Sequence, residues 1–304
     1  MSDTTPAANE TANPQTVRAY FLELQNSICA ALEALDGEKT FSLERFEAGD
    51  GGLAQPRVLA DGPHIEKAAV QFSHSIGAQL PPAATARNPH LAGLPFQAVA
   101  VSLIVHPRNP HVPTTHMNVR YFHVEAETPH WFFGGGYDLT PFYAVESDCV
   151  RWHETARDAV GEHYPAFKAR CDEYFYLPHR QECRGVGGIF FDDWTEGGFE
   201  EAFALVRAVG DSFVPAYLPI FEARMHTPVT EAEREFQLYR RGRYAEFNLA
   251  IDRGTQYGLQ SGRRVESVLA SLPPLAKWVY SYVPPPGSRE AALTEEFLPP
   301  RDWV

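Results

Sequence analysis

Residues Ser102–Tyr143 read SLIVHPRNPHVPTTHMNVRYFHVEAETPHWFFGGGYDLTPFY. The run from Val99 to Val105 is apolar and β-branched, which predicts a buried strand ending at His106-Pro107. Pro107, Pro110 and Pro113 exclude a helix between His106 and His116, so the chain loops before it pairs again. Thr115–Glu125 reads as a second strand. With a period of two, His116, Asn118 and Arg120 share one face, and Met117, Val119 and Tyr121 the other. An imidazole, an amide and a guanidinium in a row form a polar strip that is costly to bury unless something polar or anionic fills it. The triplet Gly134, Gly135 and Gly136 reads either as a bulge or tight hairpin, or as bare backbone against which a flat ligand lies. Flanking Trp131, Phe132 and Phe133 favour the second reading. Asp138 is either a turn cap or a catalytic carboxylate. No GK[ST] follows the glycines, so this is not a phosphate loop.

Working outward, hydrophobic residues make up 44% of 304 residues, enough for a substantial core. A formal charge of -13 argues against a nucleic-acid partner and requires that any anionic ligand be met by locally gathered arginines. Cys29, Cys149, Cys171 and Cys183 show no CxxC spacing, which fits core thiols in a reduced, cytoplasmic chain. No targeting signal and no stretch of membrane-spanning length is read. Residues 1–12 are predicted to be a disordered tail and 13–304 a single domain, since no linker rich in Gly or Ser divides them.

Asn13-Pro14 opens a predicted amphipathic helix that runs to Asp36-Gly37. Phe41–Glu47 and Leu53–Ala60 read as strands about a glycine turn, Ala68–Ile76 as strand or helix, and Pro81–Pro95 as a surface loop. After Tyr143 the pattern turns helical. Ser147 and Asp148 are capping candidates, His153 falls on a buried stripe, and another helix follows Pro165. Arg184–Asp193 predicts a central strand. A helix over Phe199–Met225, bent or interrupted at Pro215 and Pro219, precedes a charged helix over Glu231–Arg241 and a strand over Tyr244–Ile251. Gly258–Leu272 turns through Gly262 into a helix whose start carries Arg263 and Arg264, and about the last twenty residues read as a surface tail. Strands and helices occur in clusters rather than as βαβ units. The fold class is therefore α+β, with a large, mainly antiparallel sheet.

Eight of the twelve histidines lie between His106 and His179. His106, His116, His153 and His179 either share one ion or line a polar pocket as hydrogen-bonded groups; no HxH or HxxxH puts two ligands on one element. Asp192 and Asp193 close a strand as a turn cap or an ion-holding pair. Arg263 and Arg264 at a helix start form either a solvated face or an anion site.

Five runs resemble those of oxygen-dependent coproporphyrinogen-III oxidases. They are HPRNPHVPTTHMNVRYF from His106, WFFGGGYDLTPFY from Trp131, DEYFYLPHR from Asp172, RGVGGIFFDDW from Arg184, and YRRGRYAEFNLAIDRGTQYGLQSGRRVESVLASLPP from Tyr239. The resemblance spans about Phe41 to Trp278. It implies a homodimeric haem-biosynthesis enzyme with a flat antiparallel sheet between helical layers. Such an enzyme converts two propionates of coproporphyrinogen III to vinyls, with O2 as oxidant, to give protoporphyrinogen IX. By motif position it implies Ser102, Asn118, Val119, Arg120, Gly262, Arg263 and Arg264 as substrate-binding residues. His116 falls at a proton donor, and Asp138 at a catalytic aspartate with Arg120 and Arg264 beside it. His106, His116, His153 and His179 match divalent-metal ligands, and Tyr244–Val279 a dimer-forming region. No flavin, haem or iron–sulfur cluster is implied. Arg263 stands where a small residue is common in that family. On this reading Arg120 and Arg264 anchor propionates while Asp138 pairs with pyrrole N–H groups.

Overall fold

The computed structural model describes residues 13–79, 91–127, 130–260 and 263–304. The tail over residues 1–12, most of the 81–95 loop, and Gly262 lie outside these. Helix α1 (Pro14–Asp36) starts where Asn13 accepts the Gln15 N–H at 2.9 Å and stops at Gly37, whose φ of 78° only glycine adopts freely. Strands β1 (Phe46–Glu47), β2 (Leu53–Ala60), β3 (Ile65–Gly77), β4 (Phe96–Pro107), β5 (Thr114–Val124) and β6 (His130–Thr140) follow. After α2 (Glu146–Val160), α3 (Tyr164–Tyr174) and the small β7 (Tyr176–Leu177) and β8 (Glu182–Cys183) comes β9 (Gly187–Trp194). The helices α4 (Gly198–Arg224), α5 (Glu231–Ala250), α6 (Arg253–Gln260), α7 (Val265–Val268) and α8 (Arg289–Ala292) complete the order.

Seven strands form one antiparallel sheet in the order β1-β2-β3-β4-β5-β6-β9, so the α+β class holds. Register decides what each face carries. Ala100, Arg120 and Gly134 lie abreast on β4, β5 and β6, as do Ser102, Asn118 and Gly136, and Ile104, His116 and Asp138. The opposite face carries Val101, Leu103, Met117, Val119, Tyr121, Phe133 and Tyr137, all buried in one core under α1 and α4. The alternation read from the sequence is therefore real. The apolar set is packed, and His116, Asn118 and Arg120 stay half-buried on the second face.

Helix α5 and the segment after it cover part of that second face. Arg241, fully buried, donates to Glu66 Oε2 at 2.7 Å and to the Pro107 carbonyl at 2.8 Å. Lys67 reaches the Leu272 carbonyl at 2.8 Å. Helices thus flank both faces of the sheet.

The structure departs from the sequence reading at several places. Tyr244–Ile251 is not a strand: it continues α5 to Ala250, and Tyr244, Phe247 and Asn248 recur at helical spacing on its buried side. β9 is an edge strand rather than a central one. Only Phe46–Glu47 of the first predicted strand pairs as one. Ser147 and Asp148 cap nothing; α2 starts after Val145, and Asp148 instead takes both prongs of Arg224. Helix α4 runs through both prolines. At 27 residues it is long and apolar enough to cross a membrane by length and composition, contrary to the expectation that no stretch approaches that length. Its apolar side packs on the sheet core, with Phe203, Val206, Phe213 and Tyr217 buried. The C-terminal stretch is not a surface tail either: Leu293 and Leu298 are buried, and Trp303 stacks on His153 with ring centroids 5.7 Å apart.

Glu66 joins β3 to α5 through Arg234 and Arg241. Burial by itself would raise its carboxyl, yet the two guanidiniums hold it below the ordinary 4.5. The stabilisation is therefore present above that value and is lost as pH falls through the folded-state value. Glu66→Gln strands a buried arginine and should cost about 3–5 kcal/mol in urea unfolding at neutral pH. A change under about 1 kcal/mol would show that water compensates Arg241.

Candidate functional site

Because β5 and β6 pair with His116 opposite Asp138, the two side chains emerge together on the second face. Asp138 is buried, and His116 Nδ1 lies 2.9 Å from its Oδ1. Arg184, in the turn between β8 and β9, grips the same carboxylate from behind. Its Nη2 donates to Oδ1 at 2.7 Å and to Oδ2 at 2.9 Å, and its Nε to Oδ2 at 3.1 Å. The guanidinium is itself buried, with its carbon over the rings of Phe175, Phe247 and Tyr244 at 4.2, 4.5 and 4.6 Å. Burial pushes the Asp138 carboxyl upward, but Arg184 and then His116 outweigh it and keep it below its ordinary value. An ionised carboxylate only accepts, so Nδ1 of His116 carries the hydrogen. Nε2 is then the nitrogen left for proton transfer.

Beside this triad lies a bare strip of backbone. The Arg120 guanidinium lies flat over Gly134, where an added Cβ would sit 2.7 Å from Nη2. A Cβ at Gly136, whose φ is 141°, would meet the Ile189 carbonyl oxygen at 2.0 Å. The triplet is thus strand backbone in the middle of β6 and no hairpin. Arg120 Nη1 donates to Asn118 Oδ1 at 2.8 Å, Nη2 meets Asp192 Oδ1 at 2.8 Å, and the guanidinium carbon stands 5.7 Å from the Phe190 ring centre. Ser102 lies abreast of Asn118, half-buried. Val119 points the other way, into the core, and offers this face only its backbone.

A sequence model of the coproporphyrinogen III oxidase family matches residues 16–303. The chain belongs to the coproporphyrinogen III oxidase family. These are haem-biosynthesis oxidoreductases, so the substrate class is a tetrapyrrole.

Against that chemistry the structure gathers Ser102, His116, Asn118, Arg120 and Asp138 on one face but does not bring Arg264 to them. Arg264 ion-pairs with Glu44 and Glu266 and lies over the Phe46 ring at 4.6 Å, at the β1 margin, because those carboxylates are its near neighbours. Arg263 reaches Ser75 Oγ at 3.0 Å on β3, which sets it above the same face. Asp138 is not presented to a ligand. Both its oxygens are engaged and covered, so the expected pairing with pyrrole N–H groups is not available in this arrangement, and His116 is the member of the triad nearest solvent.

Nor do the four histidines share a centre. His153 donates from Nε2 to the Val186 carbonyl at 3.0 Å and accepts the Tyr164 hydroxyl at Nδ1 at 2.8 Å, and burial pushes it down to about 3. His106 donates from Nε2 to the Ser271 carbonyl at 2.9 Å. His179 sits at the surface, 2.9 Å from Glu246. With different partners for each imidazole, the set does not fit a common divalent ion. Among the described residues no three His, Cys, Asp or Glu side chains gather as a cation site.

Arg184 is the residue that sequence reasoning missed. It opens the RGVGGIFFDDW run, and its one signal is a lone cation at the head of an otherwise apolar stretch, a position that ordinarily reads as a solvated turn. Asp192, read as a cap or an ion ligand, caps locally by accepting the Asp193 backbone N–H at Oδ1 at 3.1 Å, and it also pairs with Arg120.

The two halves of the site should separate kinetically. Gly134→Ala lifts Arg120 from its seat and should raise KM for the tetrapyrrole between about tenfold and a hundredfold, the worth of a charge-assisted hydrogen bond. Asp138→Asn leaves that seat intact and should lower kcat far more than it raises KM. Equal effects on both parameters in both variants would dissolve the distinction.

Proposed function

We propose that this chain catalyses the aerobic oxidative decarboxylation of two propionates of coproporphyrinogen III, giving protoporphyrinogen IX. In each step a propionic side chain loses CO2 and two hydrogens to become a vinyl group, and one O2 is reduced to H2O2. The observation that carries this reading is the His116–Asp138–Arg184 triad beside a glycine floor and an arginine seated on it. A bulky macrocycle with four propionates needs an unobstructed floor and such a fork. Arg120 and Asn118 orient the substrate, while His116 moves a proton at Nε2, held in one tautomer by Asp138. Arg184 keeps that carboxylate ionised in a buried setting.

Support for the oxygen-dependent mode is the cysteine pattern: Cys29, Cys149, Cys171 and Cys183 include no closely spaced trio of the kind a radical iron–sulfur enzyme uses. All four are buried free thiols, in keeping with a reducing, cytoplasmic setting, and burial pushes Cys29 and Cys149 up to about 12. No step is assigned to a metal ion, because the candidate histidines are committed elsewhere. One assay tests these points together. Coproporphyrinogen III in air should release CO2 and yield protoporphyrinogen IX, with or without thorough chelation, and should persist under strict anaerobiosis. Tetrapyrrole returned unchanged from the aerobic arm would mark a carrier, and loss of turnover on chelation would restore the metal.

The homodimer is likewise a proposal, and we place its contact at the end of the 244–279 range and just beyond. Tyr244, Ala245 and Phe247 are buried within the chain, whereas Trp278, Tyr280 and Val283 are 56%, 98% and 79% exposed. So large an apolar run in water supports an interface there. Tyr280→Asp combined with Val283→Asp should halve the mass seen by sedimentation; an unchanged dimer would move the contact elsewhere.

A further inference from the structure

A cavity of about 860 Å³ opens at the β9 edge of the second face, walled by Tyr174, Phe190, Asp192, Trp194, Ile251 and Arg253. Its inner corner is Asp192, which lies between two arginines. Oδ1 stands 2.8 Å from Arg120 Nη2, and Oδ2 stands 3.6 Å from Arg253 Nη2. The two guanidiniums are therefore spaced so that one carboxylate bridges them. We propose that this is a carboxylate-exchange subsite, in which one acid arm of the tetrapyrrole enters the cavity and replaces Asp192 between Arg120 and Arg253. The inference rests on the tetrapyrrole reading above.

Both arginines hold their places by means other than Asp192. Arg253 lies over the Tyr174 ring at 5.0 Å and Arg120 over Phe190 at 5.7 Å. Tyr174 and Phe190 are stacked on each other at 4.4 Å, with planes 12° apart. Arg120 also keeps its bond to Asn118. The fork therefore persists when the carboxylate within it changes.

Asp192 sits at an irregularity in the strand. The β6–β9 register shifts between Phe133 and Gly135, so that Phe191 pairs with Gly135 and Trp194 with Phe133. Asp192 and Asp193 thus bulge opposite Gly134, and Asp193 adopts a φ of 55°. A bulge frees local backbone from the ladder and re-aims a side chain. Here it directs a carboxylate onto the arginine that the substrate also needs.

Charge explains why replacement is favoured over simple addition. Glu173, Asp193 and Glu196 stand exposed at the mouth, with Arg170 as the cation among them. The incoming carboxylate meets that repulsion in either case, but exchange gives it contact with both guanidiniums while the half-buried Asp192 turns toward water. An internal carboxylate competes at high effective concentration, so a free monoacid does not displace it. A ligand already anchored by other arms does. Asp192 therefore selects for polyacids.

Binding of coproporphyrinogen III under strict anaerobiosis, followed by quenching of tryptophan fluorescence, tests this without turnover. Asp192→Asn keeps the shape and removes the competing charge, and should lower Kd about fivefold, the worth of a partly exposed ion pair. Arg253→Gln, a change at an exposed helix start that leaves the core untouched, should raise Kd by a similar factor. A raised or unchanged Kd in Asp192→Asn, or an unchanged Kd in Arg253→Gln, overturns the subsite. Failure of the wild-type chain to bind the porphyrinogen at all removes the coproporphyrinogen reading instead, and is seen separately.

Discussion

A carboxylate taken out of water and held between an imidazole and a guanidinium is the constraint on which the rest of the structure turns. Asp138 has almost no exposure, and its charge is stable there only because Arg184 and His116 meet both oxygens. Each partner comes from a different part of the chain. His116 arrives by the β5–β6 register, Arg184 by the turn that leads into β9, and the rings that cover Arg184 by the loop after α3 and by α5. A slip of one residue between β5 and β6 would turn His116 into the core and Met117 onto the polar face. What prevents the slip lies on the opposite side of the sheet, where Met117, Val119, Tyr121, Phe133 and Tyr137 pack beneath α1 and α4. The apolar face thus sets the geometry of the polar one.

Glycine has a related part on that polar face. At Gly134 the missing side chain is the seat of a guanidinium, and at Gly136 it allows β9 to approach until no Cβ would fit. A sheet face that carries Arg120 flat against its own strands leaves room above the glycines and keeps a guanidinium at their level. Neither property requires a loop, which is why the site is built almost wholly on strands. Strands hold a side chain more rigidly than loops do.

Much of this was legible in the sequence. Alternation over 114–124 separated the two faces, and the caps at Asn13 and Gly37 placed α1. What failed to read did so for identifiable reasons. In the run YAEFNLAI from Tyr244, spacings of three and four residues mingle with near-alternation, and only the buried partners of Tyr244 and Phe247 decide for helix. The four histidines share a stretch of sequence, but strand and helix geometry sends His153 to the core and His179 to the surface. Arg184 was invisible because its meaning lies in Asp138, 46 residues away, and in aromatic rings on other elements. Arg264 read as a partner of Arg120 by motif, whereas its nearest carboxylate is Glu44.

An acidic chain that binds a polyacid faces an evident electrostatic difficulty, and the ion pairs show how it is met. Four of the described arginines on or near the second face meet carboxylates: Arg184 holds Asp138, Arg120 and Arg253 share Asp192, and Arg264 holds Glu44, while Arg263 reaches the Ser75 hydroxyl. The pairs differ in depth. Asp138 is sealed, and no ligand carboxylate reaches Arg184 without dismantling the core around it. Asp192 and Glu44 are partly exposed, and water solvates either of them once released. A net charge of -13 opposes anions in general, and the partly exposed pairs are where a ligand carboxylate meets least resistance. Only a ligand that carries several carboxylates on one framework gains enough from such exchanges together to offset the field of the whole chain. On the proposed reading, selectivity for a polyacid follows from how the internal pairs are graded by burial, and abundance of free positive charge is not needed.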